Sequence, residues 1–323
     1  MSANTTNNAA ATSQLLTELY EASLENDSPT DLKAALDIAR NKSGVAYTRL
    51  REKALHAAVN RGLCSLTDYL LNSEDADLAV IQPHQVANSV SISLLNILHL
   101  SGWDLNTVSK LNGFRLINLV TKHEDIVRWL CEHGASVDEA TETSEHGAST
   151  NEAVEHSSDA PTSLESCATH GSLSTFIYLQ ERGGRFGPMT LHRAAERAAA
   201  VGAEPCLSRD GNGISDGEKF DGEERKKIEA EKILQYLVDT VGLDVNRIES
   251  DKPMLYGTPI NRAAWIPQGA GVVNWLLRKG ADPTIFHPQC RGEDVEQIAT
   301  SNKCENTIKV LEDWKREKGQ SAS

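Results

Sequence analysis

Residues 126–138 read Ile126-Val-Arg-Trp-Leu-Cys-Glu-His-Gly134-Ala-Ser-Val-Asp138, and residues 273–283 read Val273-Asn-Trp-Leu-Leu-Arg-Lys-Gly280-Ala-Asp-Pro283. In both stretches, apolar residues at helical spacing lead to a glycine and then to a small residue. Because glycine readily adopts the left-handed conformation that ends many helices, each stretch predicts a helix that closes at its glycine. Related stretches close at Gly102, Gly183 and Gly242, so the pattern is an internal repeat.

A second pattern lies upstream of these helices. It is seen at 53–58 (Lys-Ala-Leu-His-Ala-Ala), 162–167 (Thr-Ser-Leu-Glu-Ser-Cys), 189–194 (Met-Thr-Leu-His-Arg-Ala) and 258–263 (Thr-Pro-Ile-Asn-Arg-Ala). A leading threonine predicts an N-cap, since its hydroxyl accepts backbone N–H groups that lack partners within the helix. Proline suits the first helical position, and the small alanines let neighbouring helices approach. The pattern therefore predicts the first helix of a helix pair.

Taken together, the two patterns resemble the ankyrin repeat, which reads T-P-L-H-x-A and then V-x-x-L-L-x-x-G-A-D-x-N over about 33 residues. The resemblance covers most of residues 15–316 and is most specific at 160–184, 187–246 and 255–286. It implies an all-α solenoid of about eight stacked helix–turn–helix units with β-turn fingers, in which neighbouring units shield the apolar face of each pair.

Two copies depart from the pattern of the family. The copy at 112–138 reads Arg115-Leu-Ile-Asn118 where T-P-L-H is expected, and the copy at 83–106 lacks a first-helix signature. The first helix of the copy at 83–106 is therefore the element that the sequence specifies least.

The distances between closing glycines locate two insertions. Gly102 and Gly134 are 32 residues apart, whereas the next two intervals are 49 and 59 residues long. The excess falls in the polar stretches 140–159 and 203–222, and loops between helices tolerate such insertions.

The predicted domain order follows from these boundaries. It is a disordered tail at 1–12, an N-terminal cap or degenerate repeat at 13–48, repeats at 49–139, the insertion at 140–159, repeats at 160–290 with the acidic insertion at 203–222, a C-terminal capping repeat at 291–318 and a tail at 319–323.

Composition excludes several classes of partner. The chain has 323 residues with 46 acidic and 32 basic side chains, which gives a formal net charge of −14. That charge disfavours nucleic acid and anionic membrane surfaces. No apolar run is long enough for a membrane span, and the first residues do not resemble a secretory signal. Six dispersed cysteines are typical of reduced thiols, so we expect a cytoplasmic or nuclear location.

Motifs that carry catalytic or metal chemistry are missing from the sequence. There is no G-x-x-x-x-G-K and no G-x-S-x-G stretch. The acidic stretch from Asp210 carries Ile214 and Ser215 at two positions where a calcium loop requires other residues. His56 and His192 occupy the histidine position of the repeat, and the resemblance implies that they bond backbone in a neighbouring turn. We therefore expect no catalytic residue, no metal and no cofactor.

Candidate binding residues are aromatic and arginine side chains, which are common anchors of protein interfaces. Arg193 and Arg262 occupy a repeat position that, by the resemblance, faces a concave groove, and Trp265 follows Arg262 on the same helix. The full set is Phe186, Arg193, Arg197, Tyr256, Arg262, Trp265 and Trp103. Ordinary packing or solvated charge is the competing interpretation for each of them.

These observations favour a non-catalytic adaptor or scaffold that binds a protein partner on its concave face, as a monomer or as a subunit of a complex. No small-molecule substrate is expected, and an enzyme is the least favoured class. The net negative charge of the chain favours a basic partner through electrostatic steering. The three predicted groove arginines, Arg193, Arg197 and Arg262, weaken this inference because they would make the groove locally basic. In the alternative hypothesis, a regulatory or assembly subunit contacts its partner through 140–159 and 203–222, which fold on binding.

Overall fold

The computed structural model describes residues 2–138, 161–205, 222–248, 257–285 and 293–321. Within those ranges the secondary structure is helical, and the one β-type pairing is an isolated antiparallel bridge between Val108 and Arg115. The prediction of an all-α fold is confirmed. The insertion predicted at 140–159 lies outside the described residues, as does nearly all of the one predicted at 203–222.

Sixteen α-helices are present in the described ranges. They are α1 (Ser2–Asn26), α2 (Pro29–Lys42), α3 (Gly44–Arg61), α4 (Cys64–Asn72), α5 (Pro83–Asn88), α6 (Ile92–Leu100), α7 (Leu116–Leu119), α8 (Glu124–Glu132), α9 (Ser163–His170), α10 (Leu173–Glu181), α11 (Thr190–Ala200), α12 (Gly222–Gln235), α13 (Pro259–Ala264), α14 (Ala270–Arg278), α15 (Val295–Ser301) and α16 (Glu305–Ser321). A short 3₁₀ turn spans Leu78–Val80, and α12 continues into a π turn at Tyr236–Thr240.

The chain forms two compact units. In its described part, the first holds residues 2–120 and 125–136, and the second holds residues 121–124, 137–138 and everything from 161 onward.

Consecutive helices of the first unit pair and stack. The first helices of the pairs contact one another in the order α1, α3, α5 and α7, and the second helices do so in the order α2, α4 and α6. Fully buried leucines such as Leu36, Leu55 and Leu70 fill the space between them. Small residues at Ala35, Ala54 and Ala58 are also fully buried, so the backbones can pack closely.

The second unit has the same local order. The first helices α9, α11, α13 and α15 contact in sequence, and each also packs against the second helix of its own pair. Phe176 and Trp275 are the largest fully buried side chains of this unit. Four of the five alanines of α11 are buried, namely Ala194, Ala195, Ala198 and Ala199.

The closing glycines behave as the sequence predicts. Gly102, Gly134, Gly183, Gly242 and Gly280 have φ between 75° and 94°. A side chain at this backbone conformation would be strained, which explains why glycine recurs at the end of the second helices.

A tight turn follows several closing glycines. The carboxylates of Asp104, Asp244 and Asp282 each accept the backbone N–H two residues further on, at 2.8–2.9 Å. The Asn106 side chain then reaches the next turn, where its Oδ1 accepts the N–H of Ser136 at 2.7 Å. Asn246 makes the corresponding bond to the N–H of Asp282 at 2.7 Å. These amides tie successive helix pairs together.

Five of the first helices share a second device at their start. The side chain at the third helical position accepts the N–H of the N-cap residue at 2.9–3.2 Å. The side chains that do so are those of Gln85, Asn118, Glu165, Asn261 and Gln297. Thr162 acts as the predicted N-cap, since its hydroxyl accepts the N–H of Glu165. Pro259 occupies the predicted first helical position of α13.

Several helices extend beyond the boundaries expected from the sequence. The backbone is helical from Ser2, where a disordered tail was predicted at 1–12, because the run Ala9-Ala10-Ala11 favours continuation of α1. Likewise α16 continues to Ser321, within the tail predicted at 319–323. Helix α3 begins at Gly44 with Ser43 as its cap, so Lys53 lies inside the helix and not at its start.

Helix α5 is the element that the sequence specified least. The copy at 83–106 lacks a first-helix signature, and Pro83–Asn88 nevertheless forms its first helix. Pro83 sits in its first turn, and Gln85 accepts the N–H of Gln82 at 2.9 Å. Glutamine thus supplies the capping contact that asparagine supplies in α7 and α13 and that glutamate supplies in α9.

Candidate functional site

The candidate site lies on the first helices of the second unit. Arg262, on α13, is only 8% exposed, and its Nη2 atom donates to Oε2 of Glu196 on α11 at 2.5 Å. The same Glu196 oxygen accepts from Nη1 of Arg193 at 3.5 Å, one helical turn earlier. One carboxylate therefore links two of the predicted arginines across two neighbouring helices.

Trp265 lies at the end of α13 and is 49% exposed. The helix stops there because Pro267 follows closely and disfavours helical geometry in the residue before it. Residues three apart on a helix are neighbours, so Trp265 lies beside the buried Arg262. We call the set Arg193, Glu196, Arg262 and Trp265 the Trp265 face.

Arg197 bonds the end of a neighbouring helix, which favours the packing interpretation of this residue. Its Nη1 atom donates to the carbonyl oxygen of Gly171 at 2.7 Å and to that of Ala168 at 3.4 Å. These carbonyls belong to the end of α9, where the last carbonyl groups lack partners within the helix. Burial lowers the pKa of Arg197 from its ordinary value.

Trp103 does not belong to an exposed site. Its side chain is 4% exposed, which favours the packing interpretation over contact with a partner. The physical reason is its position directly after a closing glycine, where the chain turns inward. Ala135 and Ala281 occupy the same position in other pairs, and both are buried.

Of the two remaining candidates, only Phe186 lies in the described part of the chain. Phe186 is half-buried, and its ring centre lies 6.2 Å from that of the fully buried Phe176, so it packs against the core. Tyr256 lies outside the described residues.

Two titratable side chains on the first helices of the second unit, those of His192 and Cys167, are buried. His192 bonds the carbonyl oxygen of Gly257 through Nε2 at 3.0 Å, as the repeat resemblance implied, and desolvation lowers its pKa to about 4. Desolvation raises the pKa of the Cys167 thiol to about 12.

His56, in the first unit, differs from the expectation of a bond to backbone, because its Nδ1 atom lies 2.6 Å from Nε2 of the Gln85 side chain.

Comparisons with known proteins do not place the chain in a family. No model of a known protein family matches it, and no curated protein matches it either.

The first unit has one shallow, open depression among its described residues that calls for comment. It has a volume of about 280 Å³ and is lined by His99, Trp103, Asp104 and His133 with neighbouring backbone. The imidazole of His133 stacks on Trp129, with ring centres 3.9 Å apart. In the described ranges, no three His, Cys, Asp or Glu side chains come together in a geometry that would hold a metal ion.

Two features of the surface escaped the sequence analysis. Glu196 links the two arginines of the Trp265 face. The sequence analysis did not select it, although it lies three residues after Arg193, a spacing that makes the two side chains neighbours on a helix. Val108 and Leu111, at the turn around the isolated bridge, are 46% and 77% exposed.

No described helix is both long and apolar enough to cross a membrane.

Proposed function

We propose that each of the two units is a stack of ankyrin-type repeats. Three observations support this proposal: closing glycines with left-handed backbone, a capping contact at the third position of the first helices, and asparagine bonds between successive turns. Each helix pair has an apolar face that it cannot bury alone, and contact with the neighbouring pair supplies the missing cover.

We further propose that the protein is a non-catalytic binding module, in the manner of an adaptor or scaffold, and that it binds a protein partner through the Trp265 face. The observation that carries this proposal is the 49% exposure of Trp265 directly beside Arg262, which is itself buried and fixed by Glu196. Tryptophan contributes large contact areas to protein interfaces and is often one of their energetic anchors.

Rigidity of the surrounding residues favours this function. Arg262 is held by Glu196 from the adjacent first helix, and the flanking Ala263 and Ala264 are fully buried. A side chain on such a support loses little conformational freedom when a partner binds, so less of the interaction energy is spent on ordering.

The titratable groups near this face also favour binding over catalysis. His192 is fully buried and engaged with a backbone carbonyl, and the pKa of the buried Cys167 thiol is raised, which disfavours the reactive thiolate at neutral pH. A general base or nucleophile needs access to a substrate together with a pKa near the working pH.

The test is affinity capture with the full chain. Wild-type protein, Trp265→Ala and Leu15→Ala are immobilised and compared for the proteins that they retain from a cell extract. Leu15 is the control, because it is 48% exposed and lies on α1 in the other unit. We expect Trp265→Ala to lose specific proteins that the wild type and Leu15→Ala both keep. Equal retention by all three, with Trp265→Ala folded by circular dichroism, would overturn the proposal.

A further inference from the structure

Asparagine amides join successive turns at two places in the described chain. Asn106 and Asn246 each lie four residues after a closing glycine, and each accepts the N–H of the residue two positions after the next closing glycine. Their Nδ2 atoms also donate to the carbonyl oxygens of Gly134 and Gly280, at 3.3 and 3.1 Å. These contacts are uncharged, so they do not respond to pH.

Asp138 occupies the equivalent position ahead of the α9/α10 pair. Its Oδ2 atom accepts the N–H of Arg185 at 2.6 Å, and its Oδ1 atom accepts the N–H of Ser163 at 3.0 Å. An ionised carboxylate only accepts hydrogen bonds, so it cannot reproduce the donor half of the asparagine contact. The turn before α11 is held by a charge where other turns are held by an amide.

Glu165 introduces a second charge at the same junction. It occupies the third position of α9, where other first helices carry Gln85, Asn118, Asn261 and Gln297, or the buried His192 in α11. Its Oε2 atom accepts the N–H of Thr162 at 3.0 Å, and its Oε1 atom accepts the N–H of Met189 at 2.6 Å. The residue is 5% exposed.

Gly187 makes room for this second carboxylate. A Cβ atom at position 187 would lie 2.2 Å from Oε1 of Glu165, which is far inside contact distance. Gly187 also lies four residues after the closing Gly183, at the position where Asn106 and Asn246 carry their amides. The Glu165 carboxylate thus lies against a position that has no side chain.

Opposing effects act on the Glu165 carboxyl. Burial raises its pKa, and the nearby Asp138 adds to the rise, whereas the N–H groups of Met189 and Thr162 and the charge of Arg193 oppose it. The net direction is upward, so burial dominates the hydrogen bonds and the attraction to Arg193.

We propose that the contact between the α9/α10 pair and the α11/α12 pair is a proton-dependent joint, in which the carboxylates of Asp138 and Glu165 hold four backbone N–H groups and protonation of Glu165 tightens the hold. The joint is weakest at neutral pH. The junction held by Asn106 keeps the same strength across this range of pH, whereas the junction held by Asn246 also carries the His192–Gly257 bond and does not strengthen on acidification.

The direction follows from linkage between protonation and opening. When the joint opens, Glu165 becomes hydrated and its pKa returns towards the ordinary value, whereas in the closed joint the pKa is raised. The closed state therefore binds the proton more tightly, and its stability decreases as the pH rises through the raised pKa. Protonation costs one N–H acceptor at Glu165, but it also removes a charge from a side chain that is 5% exposed and lies near Asp138, and burial is the largest influence on the pKa of this carboxyl.

Hydrogen–deuterium exchange of the full chain tests the joint. Peptides that cover 184–190 report the N–H groups of Arg185 and Met189, while peptides that cover 136 and 282 report the junctions held by asparagine. Protection factors, corrected for intrinsic exchange, are compared from about pH 8 to about pH 4.5 in wild type and Glu165→Gln. The work uses dilute protein, because the sequence pI is ≈ 5.2.

We expect protection at 184–190 to rise several-fold as the wild-type protein is acidified, with no matching change at 136 and 282. In Glu165→Gln, protection at 184–190 is expected to be high already at neutral pH and to lose its pH dependence. Protection at 184–190 that is flat or falls on acidification of the wild type would overturn the proposal, whether or not the variant folds. A rise of the same size at all three places would also overturn it, since the response would then be global.

Discussion

Nη2 of Arg262 lies 2.5 Å from Oε2 of Glu196, a residue 66 positions earlier in the chain. Ten per cent of the arginine side chain is exposed, against 35% of the glutamate side chain. The pair fixes the start of α13 against α11, and it thereby fixes the helix turn that carries Trp265. Loss of the pair therefore affects both stability and the geometry of the proposed binding face.

Replacing Arg262 by alanine is expected to lower the free energy of unfolding by about 1–2 kcal/mol, since it leaves the partly exposed Glu196 without its closest cation. Urea unfolding measures this change. Arg316→Ala is the matched control, because its ion pair with Asp313 is well exposed and is expected to contribute less than about 0.5 kcal/mol. Equal effects of the two substitutions would contradict the assigned role of Arg262.

Alanine substitutions of two tryptophans distinguish a packing role from a binding role by their effect on stability. Trp103→Ala is expected to cost about 3–5 kcal/mol of unfolding free energy, because it removes a large buried side chain. Trp265→Ala is expected to cost less than about 1 kcal/mol, since half of that side chain is already in water. Thermal unfolding of both variants under the same conditions compares them, and a larger loss for Trp265→Ala would be inconsistent with the packing described.

A methyl group at position 187 should disturb the Glu165 carboxylate. Gly187→Ala places a Cβ atom where Oε1 lies, so the carboxylate has to leave the N–H of Met189, and we expect a loss of about 1–3 kcal/mol. The control is Gly44→Ala, whose added Cβ meets nothing within 4 Å. In a double-mutant cycle, Glu165→Ala should remove most of the penalty of Gly187→Ala. Additive effects would show that the two positions do not interact.

His192 should contribute a defined pH dependence. Its folded pKa of about 4 lies below the ordinary value of 6.5, so the unfolded chain binds the proton more tightly. The stability that this group contributes is fully present above about pH 6.5 and is lost as the pH falls towards about 4. NMR titration of the imidazole should give a midpoint near the lower value, and a midpoint near 6.5 would contradict the buried, neutral state.

The elements that the sequence predicted well are set by local chemistry. A left-handed glycine at position 134 or 280 ends a helix whatever packs against it, and Thr162 caps α9 through a bond within four residues. The resemblance to a known repeat implied that His192 bonds backbone in a neighbouring turn, and its bond to Gly257 agrees with that expectation.

The parts that the sequence did not predict depend on contacts between distant residues. Burial of Trp103 follows from the packing of its turn and is invisible in its neighbours along the chain. The bond of Arg197 to Gly171 and the pairing of Arg262 with Glu196 join different helix pairs. Helix α5 was the element specified least for another reason, because glutamine replaces the usual residues at both Gln82 and Gln85 while keeping the capping contact.

The most direct test of the central claim is the reactivity of Trp265 when a captured partner is bound. Hydroxyl-radical footprinting of the full chain, with and without a protein recovered by affinity capture, measures oxidation of Trp265 and of the equally exposed Leu15. The account predicts that the partner strongly reduces oxidation of Trp265 and leaves Leu15 unchanged. Unchanged oxidation of Trp265 in a saturated complex, with protection elsewhere on the chain, would contradict it.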